Sequence, residues 1–302
     1  MTYDTDETHW FANYHSEAMY QYVRAEPLHV EETGLQKLTV LDSERYGRIM
    51  TLNGEIQIAS DCDACVHEPM IHPAMLTHPN PERVLVIGGG DGGSSREIVK
   101  HDPERVDVVE LDERVVEVCR EYFPEFAAGF DDNRVRLHHE DGREFVRETD
   151  RDYDVVVLDI SDPKGPATSV FTKEFYEELR ELLREDGLVV THCESPDSTD
   201  DTFYRINATL DATFEHARPY RHWVPAYIDF WGRTVASTGP DPLTLTPGDI
   251  TNRLNRRGVD TEWLTPEHCH AMFRSLNGRV REKLAQEWEI LTEGQEAEFY
   301  RP

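Results

Sequence analysis

The sequence is short of lysine, of cysteine and of long apolar runs. Five lysines occur (Lys37, Lys100, Lys164, Lys173 and Lys283), so arginine carries nearly all the positive charge. Thirty-one basic residues stand against 60 acidic ones, a formal charge of -29, and this repulsion argues against nucleic acid or an anionic membrane as a main partner. No run of 18 apolar residues is present, so no membrane-spanning helix is expected. The N-terminal MTYDTDETHWF has neither a basic region nor an apolar run; no export signal is expected, and a cytoplasmic location follows as an expectation. Five cysteines, an odd number without secretory context, make a disulfide framework an unsuitable reading. Cys62 and Cys65 have C-x-x-C spacing, but no second pair completes a zinc site, so they read as core or surface thiols. An acidic, lysine-poor surface suits a salt-rich cytosol, where screening suppresses self-repulsion. The charge therefore reads as adaptation to a halophilic host and not as a clue to a substrate.

What is present falls into three parts. Residues 1–77 contain β structure from about 26 to 60, with Asn53-Gly54 between two alternating runs as a hairpin signal, because both positions tolerate positive φ. A helix is predicted over Asp63 to Thr77, followed by a proline-marked linker at 78–82. Residues 78–239 alternate strand and helix, including a helix over FTKEFYEELRELLRE stopped at Asp186-Gly187. This alternation predicts an α/β fold whose mostly parallel sheet carries helices on both faces, with the ligand at the carboxyl ends of the strands. Residues 240–302 open with Pro240, Pro242 and Pro247 and read as a mainly helical extension, LNGRVREKLAQEW being its clearest helix.

The stretch RVLVIGGGDGGSSR, Arg83 to Arg96, organises the middle part. A buried strand enters a glycine turn, and a helix follows with Ser94 as its expected cap. The turn carries Asp91, where a phosphate cradle avoids negative charge; the expected ligand lacks a pyrophosphate and is cationic nearby. Further acids fall at successive strand ends: Glu110 and Asp112, Asp141, then Asp159 and Asp162. Glu110 lies 22 residues after Gly88, close to the spacing of about 20 at which an acid accepts from ribose hydroxyls. Asp141 reads either as an acceptor for an exocyclic amine or as a helix cap. Asp159-Ile160-Ser161-Asp162-Pro163 suits a cationic substrate or removal of a proton from an ammonium, with a capped turn or a magnesium site as the alternatives.

Tyr46-Gly47-Arg48, Asn53 to Gln57, His67-Glu68, His72-Pro73, His78 to Pro81, Gly88 to Gly93, Arg96-Glu97, Lys100-His101, Glu110, Asp112 and Asp159 to Pro163 together resemble the spermidine synthase family of polyamine aminopropyltransferases. The resemblance runs from about residue 26 to 238. It implies a small N-terminal β domain joined to a methyltransferase-like α/β domain, in dimers or tetramers. It also implies transfer of an aminopropyl group from decarboxylated S-adenosylmethionine to an amine, with release of methylthioadenosine. No separate cofactor is implied, the sulfonium nucleoside being a co-substrate, and no metal.

Carried over by resemblance, Asp91 holds the amino group of the aminopropyl arm, Glu110 the ribose and Asp141 the adenine. Asp159 is then the base and Asp162 the holder of the acceptor amine, with Gln57 and His67 lining the same cleft. Charge supports this selection: Asp91 repels the carboxylate of S-adenosylmethionine itself, an effect of about a hundredfold. The chain departs from the family at Ala64 and Val66, where many members carry glutamate and tyrosine, and at Pro225 to Gly232. That last segment, and the tail, are closer to the thermospermine synthase branch, so putrescine, agmatine and a longer polyamine all stand as acceptors. Tyr227, Asp229 and Trp231 alternate, which either lines an acceptor channel or packs one strand face. His192 and Glu194 at the end of the fifth strand either approach the acceptor or serve structure. An S-adenosylmethionine-dependent methyltransferase and a non-catalytic polyamine-binding protein are the alternative functions.

Overall fold

A computed structural model describes residues 9–16, 19–160, 165–198 and 201–294. Strands β1 (Trp10–Ser16), β2 (Met19–Glu32), β3 (Lys37–Ser43), β4 (Gly47–Leu52) and β5 (Glu55–Ala59) form an antiparallel sheet in sequence order. Asn53 and Gly54, with φ of 52° and 89°, make the expected turn between β4 and β5. Helix α1 (Asp63–Thr77) leads to β6 (Arg83–Gly88), α2 (Gly93–Val99), β7 (Arg105–Val109), α3 (Glu113–Tyr122) and the short α4 (Pro124–Ala127). Then come β8 (Val135–His138), α5 (Gly142–Glu148), β9 (Tyr153–Asp159), α6 (Lys173–Leu182), β10 (Leu183–Glu194), α7 (Thr202–Asp211) and the hairpin β11 (His216–Val224) and β12 (Asp229–Ser237). The extension carries α8 (Pro247–Arg257), α9 (Pro266–Met272) and α10 (Gly278–Leu284).

The second sheet has seven strands in the order β11-β12-β10-β9-β6-β7-β8. Strands β6 to β10 run parallel, and β12 alone among the described strands of this sheet runs against them, pairing antiparallel with β10 on one side and β11 on the other. Strand periodicity sends alternate residues to opposite faces. Val84, Val86, Val155 and Val157 therefore pack under α1, α2 and α8, while Leu85, Val156 and Leu158 pack with Phe175 of α6 and Phe203 of α7. Burial on both faces explains the uninterrupted apolar runs of these strands; each such valine contributes about 1.5–3 kcal/mol. The N-terminal sheet is packed against the same body on two sides, through Val66 and Val224 on one and Val118 and Phe126 on the other. Asp112 adds a polar tie: it accepts from Thr33 Oγ1 at 2.7 Å and Gln36 Nε2 at 3.0 Å while capping α3.

Helix α1 holds Pro69 and Pro73 in its interior and is buried on all sides from Cys65 onward. Each proline lacks the N–H that would bond four residues back, which frees the carbonyls of Cys65 and Pro69. Strand β11 takes both: His222 Nε2 lies 2.8 Å from Cys65 O and Tyr220 Oη donates to Pro69 O at 2.7 Å. Two residues apart on a strand match four residues apart on a helix.

Three expectations are corrected. The helix expected to run to residue 185 stops at Leu182, because Leu183 already pairs with Tyr153 in the sheet. The clearest helix of the extension is α8, with its Thr246–Asp249 capping box and left-handed Gly258 stop; α10 spans only seven residues, and the Trp288 indole donates to Lys283 O just after it. Ser94 is no cap: α2 begins at Gly93 behind a left-handed Gly92 and has no side-chain cap, while the Asp91 carboxylate accepts from the Gly93 amide at 2.6 Å.

Candidate active site

A cleft of about 440 Å³ opens at the carboxyl ends of β6, β7 and β9 and reaches the N-terminal sheet. Gln57, His67, Asp91, Glu110, Asp141, Asp159, Tyr227 and Trp231 all line it. Asp162 lies outside the described residues.

The floor is the glycine turn. Gly88 has φ of 82°, and a Cβ there would sit 2.1 Å from Asp159 O, so only glycine lets β6 and β9 end side by side. The Gly89 amide then donates to Asp159 O at 2.8 Å. A Cβ on Gly93 would lie 2.3 Å from His67 Cε1, so glycine also lets α1 press its histidine against the start of α2. His67 Nδ1 lies 2.6 Å from Asp63 Oδ1 and Nε2 lies 3.3 Å from Asp91 Oδ1. Both nitrogens face carboxylates, and an imidazole donates at both only when protonated. Burial opposes that charge, but Asp91 and Asp63 outweigh it and push the His67 imidazolium up to about 10. One oxygen of Asp91 is thus committed to Gly93 and His67.

Glu110 follows β7 and turns back on the turn, accepting from the Asp112 amide at 2.8 Å. Desolvation in the cleft pushes its carboxyl up to about 7. Asp141 caps α5 through Oδ1, which accepts from the amides of Arg143 and Glu144; it is at once a helix cap and part of the cleft wall.

Asp159 ends β9 with both oxygens engaged: Ser94 Oγ donates to Oδ2 at 2.5 Å and His192 Nε2 lies 3.1 Å from Oδ1. Burial raises its carboxyl, but its interactions with His192, His67 and Ser94 prevail and hold it below the ordinary carboxylate range. Neither partner was assigned this role from sequence. Ser94 read as a cap; the signal for His192 was its place at the end of a strand adjacent to β9.

The three residues expected on one strand face are separated. Tyr227 sits in the turn before β12, donating to Gln57 O at 2.5 Å. Ile228, with φ of 50°, breaks the alternation. Trp231 meets the Tyr227 ring edge-on at 5.0 Å and donates its indole N–H to His192 Nδ1 at 3.0 Å. Asp229 does not line the cleft: its carboxylate accepts from the Ser198 hydroxyl and the Phe230 amide.

A buried cluster behind the cleft, Glu68, His72 and Glu97, brings its ligand-type atoms within 4.8 Å of one another. Protein groups already occupy these acids. Glu68 accepts from the amides of Glu262, Trp263 and Leu264 at 2.6–2.9 Å, and Glu97 from Arg96 and Lys100. All five cysteines are buried thiols, the Cys65 Sγ donating to Cys62 O. No helix among the described residues is long and apolar enough to cross a membrane.

Comparison with known proteins agrees with this geometry. The spermine/spermidine synthase domain matches residues 63–243 and the spermidine synthase tetramerisation domain residues 9–60. A polyamine aminopropyltransferase of Moorella thermoacetica is 43% identical over 91% of this chain and 96% of its own length. One from Methanocaldococcus jannaschii is 38% identical over 87% and 91%. Among solved structures, a spermidine synthase in complex with the transition state analogue AdoDATO superposes with a TM-score of 0.86 at 28% identity, covering 91% of this chain and 94% of that one. Spermidine synthase from Thermotoga maritima gives 0.84, also at 28% identity, over 92% and 94%. These names do not single out the thermospermine branch. With both of its domain signatures matched and most of its length shared with such relatives, the chain belongs to the spermine/spermidine synthase family.

Proposed function

We propose that this protein is a polyamine aminopropyltransferase: it transfers the aminopropyl group of decarboxylated S-adenosylmethionine to a polyamine-type amine and releases methylthioadenosine. The observation that carries the reading is the set of carboxylates, Asp91, Glu110 and Asp159, gathered around one glycine turn in one cleft. Such a rim suits a donor with two positive charges, its sulfonium and its terminal ammonium. Glu110 accepts from the ribose hydroxyls, Asp141 from the adenine amine, and the Asp91 oxygen not committed to Gly93 and His67 takes the ammonium. Gln57, Tyr227 and Trp231 form the acceptor side, where aromatic faces favour an alkylammonium.

The chemistry follows from the charges. The amine nitrogen attacks the aminopropyl carbon attached to sulfur, a C–N bond forms and the C–S bond breaks. The sulfur leaves as a neutral thioether and needs no acid. An alkylammonium has a pKa of about 10, so the nucleophile must shed a proton, and Asp159 accepts it. Positioning in line and proton removal are the two tasks of the protein. No separate cofactor is required by this sequence of bond changes.

The test is incubation with each sulfonium donor and a panel of amines (putrescine, agmatine, spermidine), with methylthioadenosine as the readout. Asp159→Asn should lower turnover by about a thousandfold while changing donor affinity less than about threefold. Equal loss of both would remove Asp159 as base. Methylated product would replace the reading by a methyltransferase, and tight amine binding without nucleoside release by a binding protein.

A further inference from the structure

The Asp159 carboxylate is aimed by a chain of donors that starts on the acceptor side of the cleft. The Trp231 indole N–H can only donate, and it lies 3.0 Å from His192 Nδ1. Nδ1 must therefore carry the lone pair, which places the ring proton on Nε2. Nε2 lies 3.1 Å from Asp159 Oδ1. A second ring proton would set N–H against N–H, so His192 is neutral here. With Ser94 Oγ on Oδ2 at 2.5 Å, the carboxylate is held at both oxygens, and each oxygen keeps a lone pair free of these bonds. Trp231 is itself set by Tyr227, whose ring it meets at 5.0 Å and whose hydroxyl is tied to Gln57 O.

We infer that His192 is a positioning residue: held by Trp231 as the neutral Nε2–H tautomer, it orients Asp159 toward the attacking amine and does not itself take the proton. The inference rests on the role proposed above for Asp159. It removes His192 from the candidates for contact with the acceptor, and it makes the indole N–H of Trp231, three groups from the nucleophile, part of the device.

The full-length enzyme is assayed with decarboxylated S-adenosylmethionine and putrescine, and His192 is followed by nitrogen NMR at neutral pH. His192→Leu should lower kcat by on the order of a hundredfold, the effect of a catalytic group displaced by about an ångström, with donor KM changed less than about twofold. His192→Gln, whose amide N–H reaches the place of Nε2, should stay within about fivefold of wild type. Wild type should show the Nε2–H tautomer, and Trp231→Phe should populate Nδ1–H. The inference is overturned by a His192→Leu enzyme that keeps most of its kcat, by a glutamine variant as slow as the leucine one, or by Nδ1–H or imidazolium in wild type. Should the leucine variant not fold, the glutamine and Trp231→Phe variants carry the same comparison. A wild type that releases no methylthioadenosine overturns the aminopropyl reading and this role together; an active wild type with an active His192→Leu overturns this role alone.

Discussion

Glu110, proposed above to hold the ribose, pairs an ordinary task with an unusual acidity. A carboxylate accepts from two hydroxyls best as the anion, yet desolvation in the cleft pushes its carboxyl up to about 7. The sign follows. In stability, Glu110 folds most readily when neutral, so its contribution is present below the unfolded value near 4.5 and is lost as pH rises through about 7. In binding the order reverses: the cationic donor favours the anion, and binding below pH 7 must expel a proton. Donor affinity should therefore rise about three- to tenfold between pH 6 and 8 and then level, as read by calorimetric titration in the absence of amine. Glu110→Gln should abolish that rise; a rise that survives the substitution would assign it to another group. Its position was legible from spacing to the glycine turn. Its acidity was not, because the raised value comes first from burial in the folded cleft, against which the backbone bonds from Asp112 and Gly90 work, and sequence spacing contains neither. The same holds for Ser94: the residue was visible, but its bond to Asp159 spans 65 positions of sequence.

At the scale of elements, α1 is the structure on which the cleft hangs. Its two prolines leave carbonyls that β11 completes, through His222 and Tyr220. A buried carbonyl stripped of its donor costs more than an ordinary hydrogen bond is worth. Tyr220→Phe keeps the ring and removes only the donor, so it should lower stability by about 1–3 kcal/mol in denaturant titration at unchanged slope. A loss below about 0.5 kcal/mol would mean that the Pro69 carbonyl finds another partner. The helix itself was read correctly from Asp63 to Thr77, as were the Asn53-Gly54 turn and the glycine turn, since each rests on local chemistry. The failures were tertiary. Leu183 leaves α6 for a strand partner 30 residues away in the chain, and Tyr227 leaves the β12 face through a left-handed Ile228. No periodicity announces either.

At the scale of the molecule, surface and charge act together. Tyr20, Tyr22, Leu28 and Val30 are all exposed on β2, with Trp10 exposed on the adjacent β1, apolar side chains of the kind that gather at protein–protein contacts. It lies in the segment that matches a tetramerisation domain, and we propose that it joins copies of this chain. A charge of -29 per chain opposes that association until salt screens it, the screening length falling from about 10 Å at 0.1 M to about 3 Å at 1 M. Light scattering in rising potassium chloride should show wild type gaining mass with salt, and Tyr22→Asp remaining smaller at every concentration. Assembly independent of salt would detach the acidic composition from any halophilic setting, and an unchanged Tyr22→Asp assembly would place the interface elsewhere.

The grip of Glu68 on the amides of residues 262–264 is one residue away from His67, which steadies Asp91. Arg253 and Arg257 reach back to the last carbonyls of the same helix. The extension thus acts as a splint for the part of the cleft proposed to take the nucleoside, although none of its described residues lines that cleft. Proteolytic trimming after the central sheet should blunt donor recognition at a distance, leaving the proposed contact residues in place but the helix that carries His67 without its brace.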